Sequence, residues 1–245
     1  MSNVYIDVNN LSFAYEKEHA VLKRISFHAS DNDAVGIIGA NGAGKSTLLK
    51  LLVGLETGFT GNINVEGLNV EQKNLAAIRE KTGYVFQDSE NQLFMSTAFE
   101  DVAFGPRNYG LSESEVEKRV TEALAAVGAA HLRDKQIFKM SGGEKKIVAI
   151  ATALAMSPDI LLMDEPTASL DPRNRRKLIN LFNSFHYLKL VTTHDLDFIL
   201  DTCKRVILLA DGCLAADGAA AEILADKELL ERYNLELPLS MSRQQ

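Results

Sequence analysis

Apolar and polar positions alternate at the start of the chain: Val4, Ile6 and Val8 with Tyr5, Asp7 and Asn9, then Leu11, Phe13 and Tyr15 with their neighbours. Val21, Ile25 and Phe27 follow after a charged turn at Glu16, Lys17 and Glu18. A period of two puts every second side chain on one face, so these stretches predict antiparallel strands. Residues 34–38 are an uninterrupted apolar run, the pattern of a buried strand, and 46–53 have helical spacing. Residues 61–67 alternate again, and 82–86 form a short strand that delivers Gln87 to a loop.

Periodicity then changes to that of helices. Over 112–127, Val116, Val120, Ala123, Leu124 and Val127 fall on one face; Ser112 with Glu115 makes a capping box, and Gly128 supplies the stop. A second helix over 145–155 carries Ile147, Val148, Ile150, Ala151 and Leu154, capped by Ser141 with Glu144. Ile160, Leu161, Leu162 and Met163 are too short a run for a helix and read as a buried parallel strand ending in Asp164, Glu165 and Pro166. A helix opens at Asp171 and Pro172, and a strand over 188–193 leads to His194. After it come a strand at 205–209, a turn at Asp211 and Gly212, a return strand, and two short helical patterns ending near Tyr233.

Strands alternating with helices predict an α/β fold. The sequence places a core with a mixed or parallel sheet over residues 1–87 and 139–220. It includes an N-terminal antiparallel β subdomain. A helical subdomain is inserted at 88–138, and a helical tail occupies 221–245.

At 245 residues with 46% apolar side chains the chain can bury a substantial core. A net charge of −7 argues against a nucleic-acid surface, which would be basic. Cys203 and Cys213 stand outside any C-x-x-C or histidine cluster and suggest neither a disulfide framework nor a zinc site. No basic leader or membrane-spanning run is seen, so membrane association is expected to go through a partner.

The chemistry concentrates at Gly39, Ala40, Asn41, Gly42, Ala43, Gly44, Lys45, Ser46 and Thr47. This is G-x-x-x-x-G-K-[ST] between a strand and a helix: backbone N–H groups curl around a β-phosphate, Lys45 reaches the β/γ oxygens and the Ser46 hydroxyl ligates Mg²⁺. The following helix points its positive end at the anion. Asp164 and Glu165, at the carboxyl end of a buried strand, suit Mg²⁺ held through water and the polarising of an attacking water. His194 ends another strand of that sheet, within reach of a γ-phosphate. Tyr15 is open to two readings, an exposed ring for an adenine base or simple packing at a strand end. Gly142 and Gly143 lie in a helical first turn, where each costs up to about 1 kcal/mol against alanine, so something must come close to that backbone.

Together these residues resemble the ATP-binding subunit of an ABC transporter over essentially the whole chain. Residues 39–46 stand as its Walker A motif, Gln87 as the Q-loop, Ser141, Gly142 and Gly143 as the signature, 161–165 as Walker B, Ser169, Leu170 and Asp171 as the D-loop, and His194 as the switch histidine. The resemblance implies ATP and Mg²⁺ as cofactors, with Lys45, Gln87, Glu165 and His194 acting in hydrolysis and Ser46, Gln87 and Asp164 at the metal. It implies a dimer with a second copy or a paralogue, in which each ATP sits between the Walker A of one subunit and Ser141, Gly142 and Gly143 of the other, with Asp171 of the D-loop among the nucleotide-binding residues. The stretch 85–94, then Glu100 to Pro106, and the tail 229–238 are similar to the ATPases of energy-coupling-factor importers, especially the cobalt/nickel type. That implies a peripheral subunit on the cytoplasmic face of the membrane, bound to a transmembrane coupling subunit and never touching the cargo, a divalent metal ion or a vitamin. In that family the region of Leu93, Phe94 and Met95 grips a helix of the membrane subunit; spacing alone favours packing of the helical subdomain.

Two positions depart from the pattern: Glu144 stands where glutamine is usual and Ile147 where arginine is frequent. A carboxylate beside the γ-phosphate should weaken closure and slow turnover. The alternatives are a soluble non-transport ATPase of the same family and a regulatory nucleotide-binding module with little turnover. The first would need coiled-coil insertions or tandem cassettes; the intact Glu165 argues against the second, and Glu144 mildly for it.

Overall fold

In the computed structural model, residues 4–16 and 19–242 are described; Lys17 and Glu18 of the expected charged turn lie outside them. Strand β1 (Val4–Glu16) runs through both N-terminal alternations as one strand. The pairing shifts register between Val8 and Leu11, where Asn10 takes a φ of 50°. An extra residue in a ladder moves the alternation to the other parity, which is why Ile6 and Val8 are buried before it and Leu11 and Phe13 after it. β1 pairs antiparallel with β2 (His19–Ser30) on one side and β4 (Thr60–Val65) on the other, and β5 (Leu68–Asn69) follows on β4.

Chain contacts divide the molecule into two groups, one up to Arg79 and again from Tyr187, the other from Glu80 to His186. In the first group, β3 (Ala34–Ile38) lies between the parallel strands β8 (Leu188–Thr192) and β9 (Arg205–Ala210), and β10 (Cys213–Ala219) returns antiparallel to β9. This is a mixed sheet, its β3 and β8 almost wholly buried. Helix α1 (Lys45–Leu52) follows the phosphate loop and ends where the Arg79 guanidinium donates to the carbonyls of Val53 and Gly54, at 3.0 and 2.8 Å. A cation is favoured at that negative end of the helix.

Helix α2 (Leu75–Lys81) carries the chain into the second group, where β6 (Thr82–Val85) pairs parallel with β7 (Ile160–Asp164). Around the pair lie α3 (Ala98–Asn108), α4 (Glu113–Ala126), α5 (Gly142–Leu154) and α6 (Pro172–Ser184). These contacts group β6, β7 and α5 with the helical segment. The apolar face of α4 is buried as expected at Val116, Val120, Ala123 and Leu124. Its cap is only half a box: Ser112 accepts from the Glu115 amide, while the Glu115 carboxylate pairs with Arg119 at 3.2 Å. Each fully buried aliphatic side chain of these faces contributes about 1.5–3 kcal/mol.

The rest of the first group is α7 (Leu196–Thr202), α8 (Ala220–Ile223), α9 (Lys227–Arg232) and α10 (Leu239–Ser242). No helix among the described residues is long and apolar enough to cross a membrane.

Candidate functional site

The phosphate loop leaves the carboxyl end of β3, and the register explains what stands beside it. Ile37 is paired with Thr192, so two residues further along each parallel strand bring out Gly39 and His194. Gly39 has a φ of 151°, and a Cβ there would lie 2.2 Å from the Leu209 carbonyl oxygen. Gly44 has a φ of 98°, and its Cβ would meet Leu22 at 2.6 Å. Any other residue at either position would strain the loop or push it off its strand. Because Gly44 stands at the N-cap of α1, no side chain caps that helix, and its first-turn amides remain suited to an anion.

The Lys45 side chain is buried and curls back over the loop. Its Nζ donates to the Gly39 and Ala40 carbonyls at 2.8 and 3.1 Å, and lies 3.4 Å from His194 Nε2. An ammonium can only donate, so that contact is a hydrogen bond in the tautomer that leaves Nε2 bare. Thr47 Oγ1 is 3.3 Å from the Tyr15 hydroxyl, which also donates to Glu56 at 3.2 Å. The Tyr15 ring is 54% exposed and meets Phe13 edge-on. Both readings of Tyr15 thus have a physical basis: the ring packs at right angles to Phe13, and more than half of the residue stays exposed. Asn41 and Gly42 are exposed, Ala43 is buried and Ser46 half-buried.

In the second group, β6 and β7 repeat the arrangement. Val85 pairs with Met163, so two residues further on Gln87 and Glu165 emerge side by side. Asp164 and Glu165 are buried, at 3% and 9% exposure, and Glu165 takes a φ of 46°. For a residue with a Cβ that conformation costs about 1 kcal/mol or more and persists only where the surroundings impose it. The exposed Gln87 sits on a loop tied to α5 from three directions. The buried Lys146 ammonium donates to the carbonyls of Phe86 and Gln87 at 3.1 and 2.6 Å. Gln92 accepts from the Phe86 amide at 3.1 Å and donates to the Ala149 carbonyl at 2.7 Å. Lys145 pairs with Glu90. Burial pushes Lys146 below the usual lysine value, against the opposing pull of Asp164, Asp88 and Glu165. Sequence reasoning missed this clamp; the signal was a lysine, Lys146, on the apolar side of the α5 pattern.

Ser141 and Glu144 form the expected capping box at the start of α5. Glu144 Oε2 accepts from the Ser141 amide at 2.8 Å, and Lys135 Nζ holds both carboxylate oxygens at 2.7 and 2.8 Å. Lys135 therefore keeps Glu144 below the usual carboxylate range, with the Ser141 amide assisting. The sequence pattern placed a carboxylate in this cap without showing its ion-pair partner, which the structure supplies as Lys135. Ile147, the second departure, lines a small apolar cleft with Val127, Leu170 and Leu178.

Gly142 and Gly143 have room that the sequence argument did not anticipate. A Cβ at Gly142 would be 3.9 Å from Ser169 Cβ, and one at Gly143 would be 3.5 Å from the Ser169 carbonyl oxygen, both ordinary contacts. Nothing among the described residues of this chain requires glycine there. Asp171 caps α6: one oxygen accepts from the Asn174 amide at 2.9 Å and the other from its side chain at 2.8 Å. Leu93 is a correction to the surface expected at Leu93, Phe94 and Met95. It is buried at 6% exposure at the end of the turn 89–91, whereas Phe94 is 65% exposed and meets the 42% exposed Phe104 edge-on at 4.9 Å.

Among described residues no cluster of histidine, cysteine, aspartate and glutamate is arranged to hold a metal by itself. The hydroxyl of Ser46, amide oxygen of Gln87 and carboxylate of Asp164 are nonetheless the hard oxygen donors that Mg²⁺ prefers.

Comparisons with known proteins agree with this site. The family model described as ABC transporter matches residues 22–168. An ABC transporter ATP-binding protein of Geobacter sulfurreducens is 46% identical over 98% of this chain and 97% of its own length. The energy-coupling factor transporter ATP-binding protein EcfA of Carboxydothermus hydrogenoformans is 42% identical over 97% of this chain and 88% of its own. Among solved structures, CbiO1 of Clostridium perfringens, part of the transporter complex CbiONQ, superposes with a TM-score of 0.82 at 35% identity, covering 95% of each chain. A dimeric ATP-binding cassette bound to ADP and phosphate superposes at 0.80 with 27% identity, over 88% of this chain and 98% of that one. A phosphate loop between β3 and α1, two buried acids at the carboxyl end of β7 and this whole-length likeness to ATP-hydrolysing cassettes have one explanation: the chain belongs to the ABC transporter ATP-binding family.

Proposed function

We propose that this ATPase energises a membrane importer of the energy-coupling-factor type, closing on ATP as a dimer with a second copy or a paralogue. The observation that carries the dimer is at Gly142 and Gly143. They bear the helical cost of glycine, the chain itself leaves space for a side chain at both, and their backbone is open to an approaching phosphate. The importer class rests on the likeness to EcfA and CbiO, and the cargo on that likeness alone: a divalent metal ion such as cobalt or nickel, or a vitamin, held by a separate membrane protein.

Each residue has a role suited to its geometry. Lys45 gives up its loop carbonyls for the β/γ-phosphate oxygens, and the amides of the loop and of α1 hold the β-phosphate. Glu165 orients and polarises the attacking water, Gln87 senses the γ-phosphate, and His194 contacts it. By the family resemblance Ser46, Gln87 and Asp164 would be the Mg²⁺ ligands, and the ion would neutralise phosphate charge. Tyr15 stacks on the adenine. Phe94 and Phe104 receive a helix of the transmembrane subunit, placing the protein peripherally at the cytoplasmic face of the membrane.

Glu165→Gln tests the chemistry. The variant should bind MgATP and dimerise stably while hydrolysis falls by about two or more decades. Hydrolysis retained in the purified variant refutes the assignment of Glu165. The importer reading is tested by recovering the tagged chain from solubilised membranes: it should bring down a polytopic membrane protein, and recovery without one refutes the reading.

A further inference from the structure

We propose that Lys135 is the positioning residue that lets this signature helix carry a glutamate at position 144: it pins the carboxylate to the cap of α5 and cancels its charge where a nucleotide polyanion is to dock. The inference rests on the proposed reading that Ser141, Gly142 and Gly143 meet the nucleotide of a second copy.

The geometry is two-sided. Lys135 Nζ sits between the carboxylate oxygens at 2.7 and 2.8 Å, and one of those oxygens also receives the Ser141 amide at 2.8 Å. Both side chains are about a third exposed, so the pair is screened but not fully hydrated. Lys135 is itself held. Its carbonyl accepts from the Ala98 amide at 3.1 Å, its amide donates to the Leu132 carbonyl at 2.9 Å, and the adjacent Gln136 bridges to Thr97. The ammonium is delivered to Glu144 from a backbone fixed against the start of α3.

The isolated chain has little need of that ammonium. A carboxylate in the first turn of a helix is already favoured by the helix dipole and by the cap it makes. What Lys135 alters is the field outside the helix, since the pair presents no net charge where the bare carboxylate would present a negative one. That difference is felt when phosphates approach Ser141, and close like charges near a protein surface weaken such an encounter by a factor of ten or so. The charge pattern, more than the residue at 144, is therefore what permits closure.

The test uses the full chain in the Glu165→Gln background, measuring the MgATP concentration that half-converts monomer to dimer by light scattering, at low and high salt. Binding of a fluorescent ATP analogue to the monomer is followed in parallel. Lys135→Ala should raise the MgATP requirement about tenfold, with monomer binding unchanged and the defect shrinking at high salt. Lys135→Arg should behave as the parent. Adding Glu144→Gln to Lys135→Ala restores neutrality and should bring the requirement back to within about twofold of the parent, while Glu144→Gln alone should close as well or better. An unaffected Lys135→Ala overturns the proposal. So does a double variant as defective as Lys135→Ala, because Lys135 then supports the loop and not the charge balance. If the Glu165→Gln parent itself forms no ATP-dependent dimer, the sandwich reading fails first and takes this inference with it, an outcome visible before any Lys135 variant is made.

Discussion

Leu93 and Phe94 are neighbours in sequence with opposite environments, and separating them tests both the packing and the proposed membrane contact. Replacing buried Leu93 by serine removes an aliphatic side chain of 6% exposure and leaves a hydroxyl in its place. Cavity formation at a leucine costs about 2–5 kcal/mol, and a buried hydroxyl without a partner adds to it, so about 3–5 kcal/mol is expected. In a chain of 245 residues each kcal/mol is worth roughly 2 °C. Leu93→Ser should therefore melt roughly 6–10 °C lower. Phe94 is 65% exposed, and its ring partner among the described residues, Phe104, lies edge-on at 4.9 Å. Such a pair is worth about 0.5–1.5 kcal/mol, so Phe94→Ser should lower the melting temperature by no more than roughly 1–3 °C. If the ring anchors a helix of the membrane subunit, its loss should cost about 2 kcal/mol or more in that complex, some thirtyfold in affinity. Calorimetry of the isolated variants and co-purification from solubilised membranes read the two effects separately. The reasoning is refuted if Phe94→Ser melts as low as Leu93→Ser, if Leu93→Ser melts with the parent, or if Phe94→Ser co-purifies undiminished.

Two further outcomes follow from the site and its support. Lys45→Ala should weaken binding of MgATP to the monomer by one to two decades, since charge-assisted hydrogen bonds contribute about 1.5–3 kcal/mol each; unchanged affinity by calorimetric titration would remove Lys45 from the phosphate site. Asp101, buried on α3, accepts the amides of Phe94 and Met95, each at 3.1 Å, and burial raises its pKa above the usual 3.8 although those two amides pull it down. A raised folded pKa gives stability that is fully present below the unfolded value and lost as pH rises through the folded one. Wild type should thus gain on Asp101→Asn in urea unfolding as pH falls from neutral towards 3.8, and a stability difference independent of pH would contradict the burial argument.

Much of the framework was legible because its signals are local. The apolar run before Gly39, the glycines of the loop and the lysine after them need no distant contact to be read, nor do the Ser141 and Glu144 cap or the run into Asp164. Three helices escaped. α3 buries Ala98, Asp101, Val102, Ala103 and Pro106 and turns Phe104 outward, so an acid and a proline stand where apolar residues mark a buried face, and a large apolar residue stands outside it. α2 and α7 are too short, at seven residues each, for a period of 3.6 to show. The two N-terminal alternations gave no sign that they belong to one strand, because a bulge shifts parity as a turn would.

By itself the sequence determined the α/β class, the phosphate loop, the acids at the end of β7, and the family, all of which are carried by residue types at fixed spacing along the chain. Only the tertiary structure decided what those residues have for company. Parallel register set His194 beside Gly39 and Gln87 beside Glu165, packing hid Leu93 and exposed Phe94, and the turn of chain at Lys135 brought an ammonium to Glu144. The reason is that charge balance, burial and strand neighbours depend on distances in space between residues far apart in the chain, and no local pattern encodes them.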